Sequence, residues 1–283
     1  MDKKIIFFDI DGTLSDPVYG VLDSTIESIK KLKENNHFVF ISTGRTKNTI
    51  QDDVLSLGFD GVIAGGGCHI EYKDEIILEN YIPAKLLRKM TSFLNENNIY
   101  YSLEGRDKIF MTEKMVKYLL NNVNLLKKRQ NSEMKKLISE REKISYESNI
   151  NELDVDFDLI SKICFVCEHS LQVDFIREFA EDDFQVIAHE APDKSVYNGE
   201  VVLKGYNKGF AARKICEHLN MGNENTIAFG DSMNDLDLLE AVNHGVAMGN
   251  SIDALKKKAK SICESADDHG IYKELLRMKL INE

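Results

Sequence analysis

Short apolar runs, each stopped by a polar cluster that carries glycine, mark both ends of this chain. Ile5–Phe8 stops at Asp9 and Phe38–Ile41 at Ser42-Thr43-Gly44. Gly61–Ala64 runs into Gly65-Gly66-Gly67, and Ile227–Phe229 stops at Gly230-Asp231. Between the first two runs, Val21–Asn36 places apolar residues at 22, 26, 29 and 32, a helical spacing. Four apolar residues without alternation fit a strand buried on both faces. Such strands alternating with helices specify a parallel sheet of βαβ units, so the expected class is α/β with a Rossmann-like core. The same rules predict a helix over 46–57 and a hairpin of 70–72 with 76–81. After residue 206 they predict helices at 207–219, 234–242 and 251–259, strands at 226–229 and 245–247, and a last helix from about 270.

The middle of the chain breaks this alternation. Its pattern predicts helices at 84–98, 116–128, 133–142 and 171–181. Strands are predicted at 99–103, 108–112, 160–167, 184–189 and 196–203. Pro83 and Pro192 fall at the changes of pattern, and proline is disfavoured inside helices and central strands. The expectation is an inserted α/β domain over 84–191, with 1–83 and 192–283 forming one split core.

Composition narrows the function. The net charge of −11 argues against general binding of nucleic acid or anionic membranes, both of which need cationic surface. A local field can still favour a small anion. No run approaches the 18 or so apolar residues of a membrane-spanning helix. The apolar stretch after Lys3-Lys4 is ended by Asp9, too soon for a secretory signal. Five scattered cysteines suggest a reducing, cytoplasmic setting.

Four polar clusters carry the chemistry. In Asp9-Ile10-Asp11-Gly12-Thr13, residues i and i+2 of an extended segment point the same way, so the two carboxylates face one ligand. They repel unless a cation or proton lies between them, and Mg²⁺ suits an all-oxygen site that receives phosphate. Ser42-Thr43-Gly44-Arg45 offers a hydroxyl and exposed N–H groups for an anion, although Ser/Thr-Gly after a strand is also an ordinary helix cap. Asn207-Lys208-Gly209 places a lysine at a helix start, where the dipole disfavours it. Gly230-Asp231-Ser232-Met233-Asn234-Asp235 repeats the first arrangement at another strand end.

These four runs, in this order, resemble the haloacid dehalogenase superfamily of phosphotransferases. The insertion and Gly245-Val246-Ala247-Met248-Gly249-Asn250 resemble its Cof-type phosphatases. The resemblance implies a Mg²⁺-dependent phosphatase acting on a small phosphorylated metabolite, a sugar phosphate or similar phosphomonoester. By the same resemblance Asp9 is the nucleophile that becomes an aspartyl-phosphate, and Asp11 is the general acid and base. Thr43, Gly44, Lys208 and Asn234 contact phosphate. Asp9, the Asp11 carbonyl, Asp231 and Asp235 serve the metal, and Thr13, Arg45 and Ser232 support substrate or ligands. The insertion would be a cap that shapes specificity. Relatives carry Asn-Gly-Ala where this chain has Gly65-Gly66-Gly67-Cys68, and often a proline where it has Thr46. Two other outcomes fit the same residues: a phosphomutase of the phosphomannomutase type, and a regulator that binds a phosphometabolite without turnover.

Other signals have plainer readings. Cys164-Phe165-Val166-Cys167 lacks the second ligand pair of a zinc site and reads as an apolar strand. Gly65–Gly67 lacks a dinucleotide spacing and reads as a flexible connector. His244 and His269 read as structural or surface residues. The nine Lys/Arg against three Glu in 114–143 read as a solvated face, and the acidic stretch 147–158 as an exposed loop.

Overall fold

The computed structural model describes residues 2–73, 75–106, 108–128, 149–190 and 197–282. Its strands are β1 (Ile5–Phe8), β2 (Ser15–Asp16), β3 (Gly20–Val21), β4 (Phe38–Ser42), β5 (Gly61–Ala64), β6 (His69–Tyr72), β7 (Glu75–Glu79) and β8 (Tyr100–Gly105). They continue with β9 (Ile109–Met111), β10 (Ile160–Cys167), β11 (Phe184–Glu190), β12 (Tyr197–Leu203), β13 (Thr226–Gly230), β14 (His244–Ala247) and β15 (Ser261–Ile262).

One compact unit comprises Met1–Glu79 and Tyr206–Glu283. Its eight-stranded sheet has the order β15-β14-β13-β1-β4-β5-β6-β7. The pairs from β15 to β5 are parallel, whereas β5–β6 and β6–β7 are antiparallel. All four residues of β1 have no exposed surface. Ile6 and Phe8 join Leu32, Val39 and Leu275 on one face, while Ile5 and Phe7 join Phe40, Ala211 and Leu238 on the other. Phe8 stacks on Phe229 at 5.1 Å between ring centres. Burial of each such side chain is worth about 1.5–3 kcal/mol, which places a polar group only where the strand ends.

The second unit, Asn80–Gly205, holds a five-stranded antiparallel sheet in the order β11-β12-β10-β8-β9. β12 pairs with β10 and β11, so residues 197–203 belong to this unit and the break expected at 191/192 falls inside it. The strand completes the sheet beyond the position of Pro192, which lies outside the described residues. Helix Ala84–Glu96 turns Leu87, Met90 and Leu94 into the core, and Ser170–Ala180 does so with Val173 and Ile176. Lys162, 1% exposed, lies between Glu104 at 3.0 Å and Glu200 at 2.8 Å.

Several expected elements are altered. The helix over 46–57 is two short turns, Lys47–Thr49 and Asp52–Leu55, separated by Ile50 in an extended conformation that buries its side chain. The helix over 251–259 is reduced to Asp253–Lys256. β2, β3 and β15 were not expected, because two-residue strands carry no readable period. The helix expected at 133–142 lies outside the described residues. No helix among the described residues is long and apolar enough to cross a membrane.

Candidate active site

β1 lies between β4 and β13, and all three end on the same side in matched register, Phe8 opposite Ile41 and Phe229. A ligand site in a parallel sheet forms beyond such carboxyl ends. The next residues are therefore brought together: Asp9, Ser42-Thr43 and Gly230-Asp231. The Asp9 N–H donates to the Phe229 carbonyl at 3.1 Å, which continues the β1–β13 ladder into the loop.

Asp9, Asp231 and Asp235 are all buried, and one carboxylate oxygen from each lies within 4.8 Å of the others. Asp235 reaches the group through a helical turn. Its Oδ2 accepts from the Asp231 and Ser232 N–H groups at 3.0 and 3.1 Å, and Oδ1 accepts from Lys208 Nζ at 2.5 Å. Lys208 Nζ also donates to Asp9 Oδ1 at 2.7 Å and Asn234 Oδ1 at 3.2 Å. Ser232 Oγ donates to the same Asn234 oxygen at 2.8 Å.

Lys208 opens helix Lys208–Leu219, whose first turn is capped by Asn207 Oδ1 accepting from the Phe210 N–H at 2.7 Å. The lysine is 2% exposed rather than solvated. Burial alone would lower its pKa, but the Asp235 and Asp9 carboxylates hold it above the usual lysine range. Burial together with the Asp235 charge pushes the Asp9 carboxyl up to about 7, against the pull of Lys208. Three clustered carboxylates with one ammonium among them leave an excess of negative charge when all are ionised. A divalent cation with oxygen ligands would neutralise it, so the donor set fits Mg²⁺.

Asp11 is turned to a different partner. Arg45 grips it with two parallel bonds, Nε to Oδ2 at 2.9 Å and Nη2 to Oδ1 at 2.7 Å, while Nη1 donates to the Thr49 carbonyl at 3.0 Å. Arg45 is 3% exposed. Thr43 Oγ1 accepts from the Arg45 N–H at 3.1 Å, so the loop after β4 is closed on itself with Gly44 buried inside it. Thr13 is buried, and its Oγ1 has no hydrogen-bond partner among the described residues.

Two glycines set the spacing. Gly12 has φ +82°, and a Cβ there would run into the Asp231 carboxylate. Gly67, at φ +109°, packs against the Asn207 carbonyl. The Gly65–Gly67 turn is tied down by Gly65 N–H to the Arg45 carbonyl at 2.6 Å and Gly66 N–H to the Thr43 carbonyl at 3.0 Å. It is a spacer between the Thr43–Arg45 loop and the Lys208 helix, not a flexible connector.

The sequence reading did not give Asn250 a role. Its Nδ2 donates to the Gly12 carbonyl at 2.8 Å and its Oδ1 accepts from the Ala266 N–H at 3.1 Å, pinning the Asp11-Gly12 loop. Its position just after the apolar end of β14 is the signal that could have found it. His244 and His269 bond Ser261 and Ser24. Cys164 Sγ donates to Glu104 Oε1 at 3.0 Å, and among the described residues only Asp9, Asp231 and Asp235 form a cluster suited to a metal.

A family model described as haloacid dehalogenase-like hydrolase matches residues 6–275. The protein YkrA of Bacillus subtilis (strain 168) is 27% identical over 271 residues, 96% of each chain. The pyridoxal phosphate phosphatase YbhA of Escherichia coli (strain K12) is 24% identical over 265 residues, 93% of each. Among solved structures, the subclass IIB sugar phosphatase BT4131 superposes with a TM-score of 0.78 at 22% identity, covering 99% of this chain and 100% of that one.

Proposed function

The chain belongs to the haloacid dehalogenase-like hydrolases, a family of phosphatases, and from that premise we propose a Mg²⁺-dependent phosphatase that hydrolyses a small phosphomonoester through an aspartyl-phosphate at Asp9. The substrate class is a sugar phosphate or a similar phosphorylated metabolite. Its relative YbhA is named for pyridoxal phosphate, a metabolite of that size. One observation carries the reading: the Asp9 carboxylate lies in a buried group with Asp231 and Asp235 and is bonded by the Lys208 ammonium. A structural turn needs no such concentration of buried charge, which is costly to desolvate.

In the reaction, one Asp9 oxygen attacks phosphorus and the ester oxygen leaves. Lys208 neutralises charge on the phosphoryl oxygens, while Asn234, Thr43 and the Gly44 N–H orient them. Asp11 gives a proton to the leaving oxygen and later takes one from the water that opens the aspartyl-phosphate. Arg45 fixes the direction of that carboxyl group. Asp9, Asp231, Asp235 and the Asp11 carbonyl would hold Mg²⁺, which when bound supplies further positive charge to the transferring group.

Phosphate release from an aryl phosphate tests the reading. Activity should need added Mg²⁺, vanish with a chelator, and be absent in Asp9→Asn while the circular dichroism spectrum is kept. Undiminished turnover by Asp9→Asn would remove the mechanism. Incubating trapped phosphoenzyme with a sugar phosphate separates hydrolysis from mutase action: free phosphate supports the phosphatase, and a bisphosphate product the mutase.

A further inference from the structure

We propose that the tip of the β2–β3 hairpin, Pro17-Val18-Tyr19, receives the organic part of the phosphate ester, with Val18 and Tyr19 as specificity-determining side chains. The inference rests on the phosphatase reading and adds a substrate preference to it. Pro17, Val18 and Tyr19 are three consecutive exposed non-polar residues, with Val18 at 73% and Tyr19 at 67% exposure. Single exposed apolar side chains are ordinary, but a run of three on a loop tip loses solubility without gaining stability unless something binds there.

The tip is also rigid. Proline fixes its own φ, and Asp16 Oδ1 accepts from both the Val18 and Tyr19 N–H groups, at 2.7 and 3.0 Å. Gly20, at φ +68°, closes the turn and pairs with Asp16. An apolar surface held in one conformation binds with less entropy loss than a mobile one.

Its location connects it to the reaction. The hairpin grows directly from the Asp9–Thr13 loop: Gly12 N–H donates to the Ser15 carbonyl and Ser15 N–H to the Ile10 carbonyl, both at 2.9 Å, and Asp11 bridges to Ser15. The tip begins two residues beyond Ser15 of that bridge, about 7 Å along the strand at the usual rise. An ester attached to Asp9 through its phosphorus carries its organic group across a distance of that size. Residues 17–20 bear no charge, so the tip selects by apolar area and by the tyrosine ring face. The favoured esters are ring-bearing ones over short polyols.

The test compares KM and kcat for 4-nitrophenyl phosphate and glycerol 3-phosphate in the full-length enzyme with Mg²⁺. Wild type, Tyr19→Phe, Tyr19→Ser and the double variant Val18→Ser/Tyr19→Ser are measured, with inhibition by inorganic phosphate as a probe of the phosphate subsite. The double variant should raise KM for the aryl ester about tenfold, within the range of a lost apolar contact, and change kcat less than twofold. KM for glycerol 3-phosphate and the phosphate inhibition constant should each move less than twofold, and Tyr19→Phe should behave as wild type. Equal changes for both esters, or none for either, would overturn the proposal. So would a uniform loss accompanied by a changed sedimentation coefficient, which would give the tip to a protein contact. Absence of turnover of both esters by wild type would instead defeat the phosphatase reading, and this inference with it.

Discussion

Arg45 holds both carboxylate oxygens of Asp11, through Nε at 2.9 Å and Nη2 at 2.7 Å, and is itself buried against the Thr49 carbonyl. A forked guanidinium fixes a carboxylate in plane and direction, which a lysine cannot do. Arg45→Lys should therefore keep the charge and lose the aim. The expected outcome is a fall in kcat of about tenfold to a hundredfold, up to the low end of what general acid–base catalysis supplies because Asp11 itself is kept, with KM changed much less. Steady-state kinetics on an alkyl phosphate check it, because a poor leaving group depends most on the proton from Asp11. Wild-type kcat in Arg45→Lys would show that the pairing has no part in turnover.

The charge excess at Asp9, Asp231 and Asp235 leads to a stability prediction for the metal. A cation that binds the folded chain alone stabilises it by about 2.7 kcal/mol at a hundred times its dissociation constant. Thermal melts should rise with Mg²⁺ concentration in wild type. The rise should be abolished or much reduced in Asp231→Asn, which removes a ligand without introducing bulk. Equal Mg²⁺ shifts in the two proteins would place the cation elsewhere.

Gly67 makes the arrangement of the phosphate loop and the Lys208 helix testable from the backbone. Its φ of +109° is one that side chains rarely adopt, and a Cβ would meet main chain of Asn207. Gly67→Ala should cost about 1–3 kcal/mol in urea unfolding, since backbone cannot move aside as a side-chain end can. It should also lower kcat, because the displaced element carries Lys208. Gly66 is the control: its φ is +65° but nothing lies within 4 Å of its Cβ position, so Gly66→Ala should be the milder change.

The site was legible where strands end. A strand buried on both faces tolerates no polar residue, so Asp9, Thr43 and Asp231 announced themselves by stopping apolar runs, and the parallel pattern put those stops on one side. The helix dipole singled out Lys208 for the same local reason. The Arg45–Asp11 bond was not legible, because it joins loops after different strands and neither residue carries a period. Gly67 was read as slack for want of its partner, Asn207, which is brought to it only by the tertiary fold. The extent of the second unit was misjudged at β12, since a strand's sheet is set by its pairing with β10 and β11 and not by its own residues.

His37 gives the fold a dependence on pH that is separate from catalysis. It is 3% exposed, and its Nδ1 accepts from the Lys4 N–H at 3.1 Å. Burial, helped by the nearby Lys4 charge, holds the imidazole below its ordinary value of 6.5. The unfolded chain therefore takes up a proton near pH 6.5 while the folded chain still resists it. In that window the unfolded state binds more protons, so stability rises with pH. The contribution is complete above pH 6.5 and is lost as the pH falls toward the folded-state value. His37→Gln removes the titrating group, so its urea midpoint should fall less between pH 7 and pH 5 than that of wild type. Carboxylates that titrate in the same range affect both proteins alike, and the difference between the two slopes isolates His37. Parallel slopes would mean that the buried imidazole does not set the acid sensitivity of the fold.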